Sequence, residues 1–568
     1  MASIFNFQEI DYLGIVESVD TSTAIIKVEN DEKMKSIQIN HLISIQSTQI
    51  GQHLVGLVSK IIRKPALAEL DAFSIPELSY NTVKVILIGT HFDRFGTKEN
   101  VFKRSLATVP TVNAECHIIH GNVLKKFMQA ISSVSEGENA ISLQIGHYSI
   151  DEEATACLNG NKFFQRHAVI VGSTGSGKSW CVANILEQVA SLSSADAMLF
   201  DIHGEYNTLK GDSYRHYKIA GPNDSLNDNV IYLPYWLLTY EEMLALMLDR
   251  SDSNAPNQAM MFSNAVIEGK RNLLRKIGKT DIEANITLDS PVPYDLDDLL
   301  ASLNKKDNEM VSGQRGEKQG PYFGKLTRFI QRLEAKRADK RLSFMFNKDH
   351  SLLDYDYMLS LCAKLMLPSD NQKNGIKIID FSEVPSDILP LIVSLIARLV
   401  FSVQQWTDPE KRHPIGLFCD EAHLYIPANT EKTVDASSLV TFERISKEGR
   451  KYGIGLIVIS QRPSEVNHTV LSQSNNFIAM RLTNADDQAV VRRLLPDSLG
   501  DYADMLPILD IGEALVVGDA SLLPSRIKIS QPSLKPSSAT IEFWDEWSKK
   551  STNVDIGLAV ESLRKQSK

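Results

Sequence analysis

The run Gly172-Ser-Thr-Gly-Ser-Gly-Lys-Ser179 fits the pattern G-x-x-x-x-G-K-[ST]. Glycines at these places let main-chain N–H groups turn inward and cradle an anion. Lys178 then reaches toward the β/γ-phosphates of a nucleotide, and the Ser179 hydroxyl is placed to ligate Mg²⁺. The stretch that would contact ATP is Gly172, Ser173, Thr174, Gly175, Ser176, Gly177, Lys178, Ser179 and Trp180. A glycine-rich turn with a chance lysine is the bland alternative. Context argues against it: the apolar run Ala168 to Val171 reads as a buried strand, and Trp180 to Val189 reads as a helix whose N-terminus adds partial positive charge.

Hydrolysis needs acids as well as a phosphate cradle. Gly416-Leu-Phe-Cys-Asp-Glu421 is an apolar strand ending in two acids. Asp420 would hold Mg²⁺ through its waters, and Glu421 would polarise the water that attacks the γ-phosphate. Asp201, at the end of the strand Ala197-Met-Leu-Phe200, is a second candidate metal residue with Glu205 nearby, or else the cap of a loop. The strand Ile454 to Ile459 runs into Ser460-Gln461-Arg462-Pro463, where Gln461 could sense the γ-phosphate. Between these strands, Phe442 to Gly453 reads as a helix end broken by glycine.

Such residues have to be positioned by a sheet. From about residue 160 strands alternate with helices, which predicts an α/β core with a parallel sheet covered on both faces. Residues 1–150 differ: short β-rich runs separated by polar turns predict a small barrel or sandwich with a structural or docking role. Cys116, His117 and His120 suggest metal, but strand alternation explains their spacing equally well. Residues 240–370 read as a helical insertion whose start, Thr239-Tyr-Glu-Glu242, resembles a capping box. Two basic runs stand in it, Lys270 to Lys279 and Lys325 to Arg341, and each reads as a solvated helix face or as a phosphate-backbone track.

At 568 residues the chain has room for two to four domains, and its 43% apolar and 23% charged content is that of a globular protein. A net charge of −10 excludes a surface basic all over, though not a local basic strip. Five scattered cysteines without a C-x-x-C pair suggest neither zinc nor disulfides, and a reducing cytoplasm fits. The most apolar segment, Ile388 to Val403, contains Pro390 and Arg398 and reads as a buried helix rather than a membrane span. The Ser/Pro-rich tail carries Phe543, Trp544 and Trp547, aromatics suited to docking on protein.

In this order the motifs resemble one family, the HerA-type ATPases related to FtsK-like DNA translocases. The resemblance rests on Arg166-His167, the phosphate loop, Asp201-Ile-His-Gly-Glu-Tyr206, Leu233-Pro-Tyr-Trp236, Asp420-Glu-Ala-His423, Glu448-Gly-Arg-Lys-Tyr-Gly453, Ser460-Gln-Arg-Pro463 and Gly512 to Asp519. Ile202 stands where the family often has proline. The resemblance implies a RecA-like P-loop NTPase core split by the insertion into 151–239 and 371–530, an N-terminal β-barrel in 1–150, and a tail, 531–568, docking on a neighbouring subunit. It implies a homo-hexamer that threads double-stranded DNA through its pore at the cost of ATP. Arg166 would act within its own subunit's site, and Arg444 or Arg450 would be the finger donated across the boundary. Cutting would fall to a separate nuclease or to an NAD-consuming sirtuin-like effector, since the chain carries no nuclease motif. The alternative is a hexameric ATPase scaffold that assembles and switches an effector, with DNA pumping secondary.

Overall fold

The computed structural model describes residues 3–64, 80–96, 98–132, 142–149, 151–313, 316–368, 375–429, 433–495, 497–521, 523–537, 543–549 and 556–565. The chain forms two compact units. The first comprises Met1–Gln188, Ile457–Ser464 and Leu471–Lys535, and the second comprises Val189–Leu456, Glu465–Val470 and Pro536–Lys568.

The first unit begins with β1 (Tyr12–Val19), β2 (Thr23–Val28), β3 (Leu42–Gln46), β4 (Gln52–Lys64), β5 (Tyr80–Phe95), β6 (Lys98–Lys103) and β7 (Glu115–Ile119). Their order is β2-β1-β7-β3-β4-β5-β6, and an additional β2–β5 pairing closes six strands into a barrel with β6 outside on β5. Alternation dictates the filling: Ala24, Ile26 and Val28 point inward from β2 and meet Val83 and Val85 of β5, all with 0% exposure. Closure leaves those six strands without an open edge. Phe7 stacks on His117, His120 pairs with Asp11 at 2.8 Å, and the Cys116 thiol faces the Ala114 carbonyl, so these residues serve the barrel rather than a metal. The next hairpin, β8 (Leu143–Tyr148) and β9 (Asp151–Leu158), leaves the barrel, and the boundary expected near residue 150 falls within it. β10 (Ala168–Val171) then leads into the phosphate loop and the helix α1 (Lys178–Ala190).

The second unit carries the parallel strands β11 (Asp196–Asp201), β12 (Tyr214–Ile219) and β13 (Val230–Ile231), followed by the insertion. There the Thr239 hydroxyl accepts from the Glu242 N–H while the Glu242 side chain accepts from the Thr239 N–H, the expected capping box. Glu242 also pairs with Arg398 (3.0 and 2.7 Å), which satisfies the charge inside the apolar segment. Besides helices the insertion holds an antiparallel hairpin, β14 (Met310–Gly313) and β15 (Gly316–Gln319). After it come β16 (Gly375–Asp380), helix α2 (Leu389–Trp406), β17 (Ile415–Cys419) and helix α3 (Thr433–Glu448). Strands β12, β16, β11 and β17 lie side by side in parallel. α2 is long and apolar enough to cross a membrane, but 72% of it is buried inside the fold.

The basic runs of the insertion are not uniformly solvated. Phe262, Val266, Lys270 and Leu274 recur every fourth residue along the helix Ala255–Lys276 and all face the core. Lys270 is 2% exposed and donates to the main-chain oxygens of Leu288 and Ser290, both at 2.6 Å. Burial pushes its ammonium down to about 8. In the second run, Arg332 pairs with Asp249 (2.6 Å), Arg337 binds both oxygens of Asp297 (the longer contact 2.8 Å), and Arg341 pairs with Asp339 (2.7 Å).

The chain returns to the first unit within β18 (Ile454–Ser460), then forms β19 (Asn476–Met480), β20 (Glu513–Gly518) and β21 (Ser525–Ile529). β10 lies between β18 and β19, parallel to both. Beyond β19 the sheet departs from the parallel expectation: β20, β21, β8 and β9 follow in antiparallel order. β20 and β21 are joined by a short turn, which permits only an antiparallel pair. The tail presents Phe543, Trp544 and Trp547, each at least 60% exposed, on the short helix Phe543–Trp547.

Candidate active site

Two clusters hold the residues expected to do chemistry, one in each unit. In the first, four buried residues of β10 deliver the chain to Gly172, whose N–H donates to the Ser460 carbonyl at 3.4 Å. A Cβ on Gly172 would sit 2.4 Å from the Ser176 hydroxyl oxygen and 2.9 Å from Met480 Cβ, so this place admits glycine alone. Gly177 has φ 101°, which lets the loop curl before the first turn of α1 begins. The loop is pinned from outside: the Ser173 N–H donates to the Arg481 carbonyl (2.9 Å) and the Gly512 N–H donates to the Ser176 carbonyl (2.9 Å). Lys178 is only 8% exposed, and the Ser176 hydroxyl oxygen is buried with no hydrogen-bond partner. An orphaned buried hydroxyl beside a lysine at a helix N-terminus suits a multiply charged phosphate. Thr174 donates its hydroxyl to Gln461 Oε1 at 2.5 Å, so the predicted sensor does touch the loop. Lys535 lies over the Trp180 ring, 5.4 Å from its centroid.

Arg166 belongs to the same unit but not to this cluster. It precedes β10, whereas the phosphate loop follows it, and four extended residues span roughly 13 Å. Its guanidinium instead faces Asp519 at 3.8 Å, at the far end of the strands. Arg104 of the barrel reaches the same place, donating to the carbonyls of Gly518 and Ser521 and pairing with Asp519. A role for Arg166 in its own subunit's phosphate site is thus at odds with the geometry. The short distance in sequence misleads because a strand separates the two.

In the second unit, β17 is buried throughout and leads directly into Asp420 and Glu421, with exposures of 4% and 3%. Glu421 takes φ 45° and ψ 44°, a left-handed backbone that a branched or bulky residue rarely adopts and that clusters at functional sites. Its N–H donates to Asp420 Oδ1 (2.9 Å), and His423 Nδ1 lies 3.4 Å from Glu421 Oε2. Carboxylate and hydroxyl oxygens such as those of Asp420 and Ser179 are the hard donors that Mg²⁺ selects.

Asp201 is fully buried, and its two oxygens accept the N–H groups of Glu205 and Tyr206, each at 3.0 Å. Burial foremost, with Asp380 beside it, pushes its carboxyl up to about 6. Both oxygens are engaged in shaping the turn Ile202–Tyr206, which is the capped-loop role. Asp380, in register with Asp201 on the adjoining strand, was not singled out from sequence, although it ends an apolar run in the same way.

Of the two candidate fingers, Arg444 lies near the C-terminal end of α3 and Arg450 on the 3₁₀ turn after it, both exposed. Arg444 rests on its own chain, with Nη2 3.2 Å from Gln405 Oε1, Nε 3.8 Å from Glu448, and its guanidinium 4.7 Å from the Phe401 ring centroid. Ser438, on the same helix, donates to the Tyr425 carbonyl just beyond the acid turn (2.8 Å). Arg444 is therefore carried about 9 Å along the axis from Ser438, away from its own acids.

Comparison with known proteins gives the same picture of kinship. The family description "Helicase HerA, central domain" matches residues 143–400, and "Helicase HerA-like C-terminal" matches residues 364–539. The chain is 26% identical to the DNA double-strand break repair helicase HerA of Saccharolobus solfataricus over 403 residues, 69% of each chain. It is 26% identical to the protein of that name in Sulfurisphaera tokodaii over 429 residues, 74% of this chain and 75% of the other. Among solved structures it is similar to VirB4 of Thermoanaerobacter pseudethanolicus, with a TM-score of 0.44 and 17% identity over 70% of this chain and 97% of that one.

Proposed function

The chain belongs to the HerA helicase family, and from that premise we propose that it is an ATP-driven motor on double-stranded DNA. The observation that carries the reading is the phosphate loop: a glycine cradle with positive φ, a buried lysine and an orphaned hydroxyl converge at one helix start. Lys178 compensates phosphate charge, Ser179 and Asp420 are the residues that would hold the metal, Glu421 takes the proton of the attacking water, and Gln461 reports the γ-phosphate to the loop through Thr174. Mg²⁺, when bound, neutralises charge on the phosphates. The geometry of α3 supports Arg444, or Arg450 beyond it, serving a second copy rather than its own acids. We therefore read the working form as a homo-hexameric ring in the cytoplasm, with a separate nuclease or an NAD-consuming sirtuin-like effector as partner.

A second reading, a hexameric scaffold whose ATPase switches an effector, is favoured by the exposed Phe543, Trp544 and Trp547, which suit a protein contact. ATPase rate measured with and without linear duplex DNA separates the two. The motor reading expects strong stimulation. A rate indifferent to DNA but raised by a partner protein would replace it with the scaffold.

A further inference from the structure

Tyr425 is fully buried, and its hydroxyl donates to the main-chain oxygen of Asp420 at 2.8 Å. That carbonyl immediately precedes Glu421, the residue held at φ 45°. A non-glycine residue persists in this region only where its surroundings over-determine it. The Ile426 N–H donates to the Ala422 carbonyl (2.7 Å) on the far side of the turn, and the tyrosine hydroxyl closes the near side. At its other end, Tyr425 accepts the Ser438 hydroxyl on its own carbonyl (2.8 Å) and packs its ring 5.6 Å from that of Phe442. Ser438 and Phe442 lie on α3, and Arg444 follows Phe442 by two residues. One buried residue thus touches the acid turn with its hydroxyl and the arginine helix with its ring and its main-chain carbonyl.

We infer that Tyr425 is a positioning residue that fixes the Glu421 carboxylate for hydrolysis and ties that fixing to the helix bearing Arg444. The inference rests on reading Glu421 as the general base. Without the hydroxyl, the Asp420 carbonyl loses this donor, and the left-handed turn loses one of the hydrogen bonds that hold it. The Glu421 side chain then swings off its station while the phosphate loop, in the other unit, keeps its own contacts. A shift of α3, as when Arg444 leaves Gln405 to engage a neighbour, moves the ring and carbonyl of the same tyrosine and reaches the acids by one residue.

The test is Tyr425→Phe in the full-length protein, which removes one oxygen and keeps the ring. The expected result is a fall in kcat of up to roughly 10²-fold, the effect of a small misplacement, with the KM for ATP unchanged. Ser438→Ala leaves the hydroxyl in place and frees the main-chain carbonyl from α3. It is expected to lower kcat more mildly, again without touching KM, and it decides the matter should the first variant fold poorly. Wild-type kcat in either folded variant, or a loss appearing in KM instead, overturns the inference. Glu421→Gln measured in parallel separates the two levels: full turnover there removes the base assignment itself, whatever the tyrosine does.

Discussion

Thr174 and Gln461 are joined by a 2.5 Å hydrogen bond in which the hydroxyl donates and the amide oxygen accepts. With Oε1 so engaged, the amide N–H₂ is the face that Gln461 can offer an anion lying on the loop. Gln461→Leu should therefore leave nucleotide affinity close to normal and lower kcat on the order of 10²-fold, as loss of a transition-state donor does. Steady-state kinetics with an equilibrium binding measurement checks this. A purely KM effect would place Gln461 in ground-state binding.

Lys178→Ala and Glu421→Gln should fail in different ways. The first loses the main cation opposite the phosphates, so binding of labelled ATP weakens along with turnover. The second keeps Asp420 and the loop, so ATP is retained and hydrolysis drops at least about 10²-fold. Equal nucleotide affinity in the two variants would contradict this division of labour.

Arg444 rests against Gln405, Glu448 and Phe401 of its own chain, and release from these weak contacts is all that engagement elsewhere requires. If it serves a neighbour, Arg444→Ala should lose roughly 10³ to 10⁵ in rate. Mixing that variant with Lys178→Ala subunits should restore part of the activity, because some intact loops then meet an intact arginine. No restoration, with restoration instead from Arg450→Ala, would move the role to the later residue.

DNA affinity should fall steeply with salt and ignore sequence, the signature of phosphate contacts. Arg332 and Arg337 should contribute little to it, since both are spent on Asp249 and Asp297 within the insertion. Arg332→Gln should leave binding unchanged and alter stability little, as solvent-screened surface pairs do. A marked loss in a filter-binding or anisotropy titration would return this helix to the DNA track.

The barrel should be sensitive to acid. His91 is 0% exposed and burial pushes its imidazole down to about 4, with Asp93 (3.7 Å) working against the shift and His53 with it. The unfolded chain takes up the proton near pH 6.5 and the folded barrel only near 4. Stability present above about pH 6.5 is thus lost as pH falls between these values, by up to about 3 kcal/mol. Chemical denaturation at pH 7.5 and pH 5 should show the loss, and His91→Phe should flatten it.

The chemistry was legible where spacing alone defines geometry. Gly172, Gly177 and Lys178 have one sensible arrangement, and an apolar strand ending in Asp420 and Glu421 has one sensible place. Arg166 failed that test because nearness in sequence is not nearness across a strand. Lys270 was hidden among outward-facing basic residues, although the period of four from Phe262 through Val266 to Leu274 points it inward. The antiparallel side of the sheet that holds β10 was illegible for another reason: β8 pairs with β21, and no local pattern announces a partner so far along the chain. Nor does sequence reveal the left-handed turn at Glu421, which the surrounding hydrogen bonds impose against local preference.

That pairing of β8 with β21 has a consequence for biosynthesis. Tyr148 leaves the ribosome early, yet its partner Ile527 is made only after residues 189–456 and 465–470 of the second unit. At usual elongation rates the wait is roughly 20 to 80 s. Throughout it, the hydrogen-bonding edge of β8 stands open beside a barrel that is already complete. Nascent chains in that window are the ones a chaperone has to shield, and polysomes are where neighbouring copies could pair wrongly.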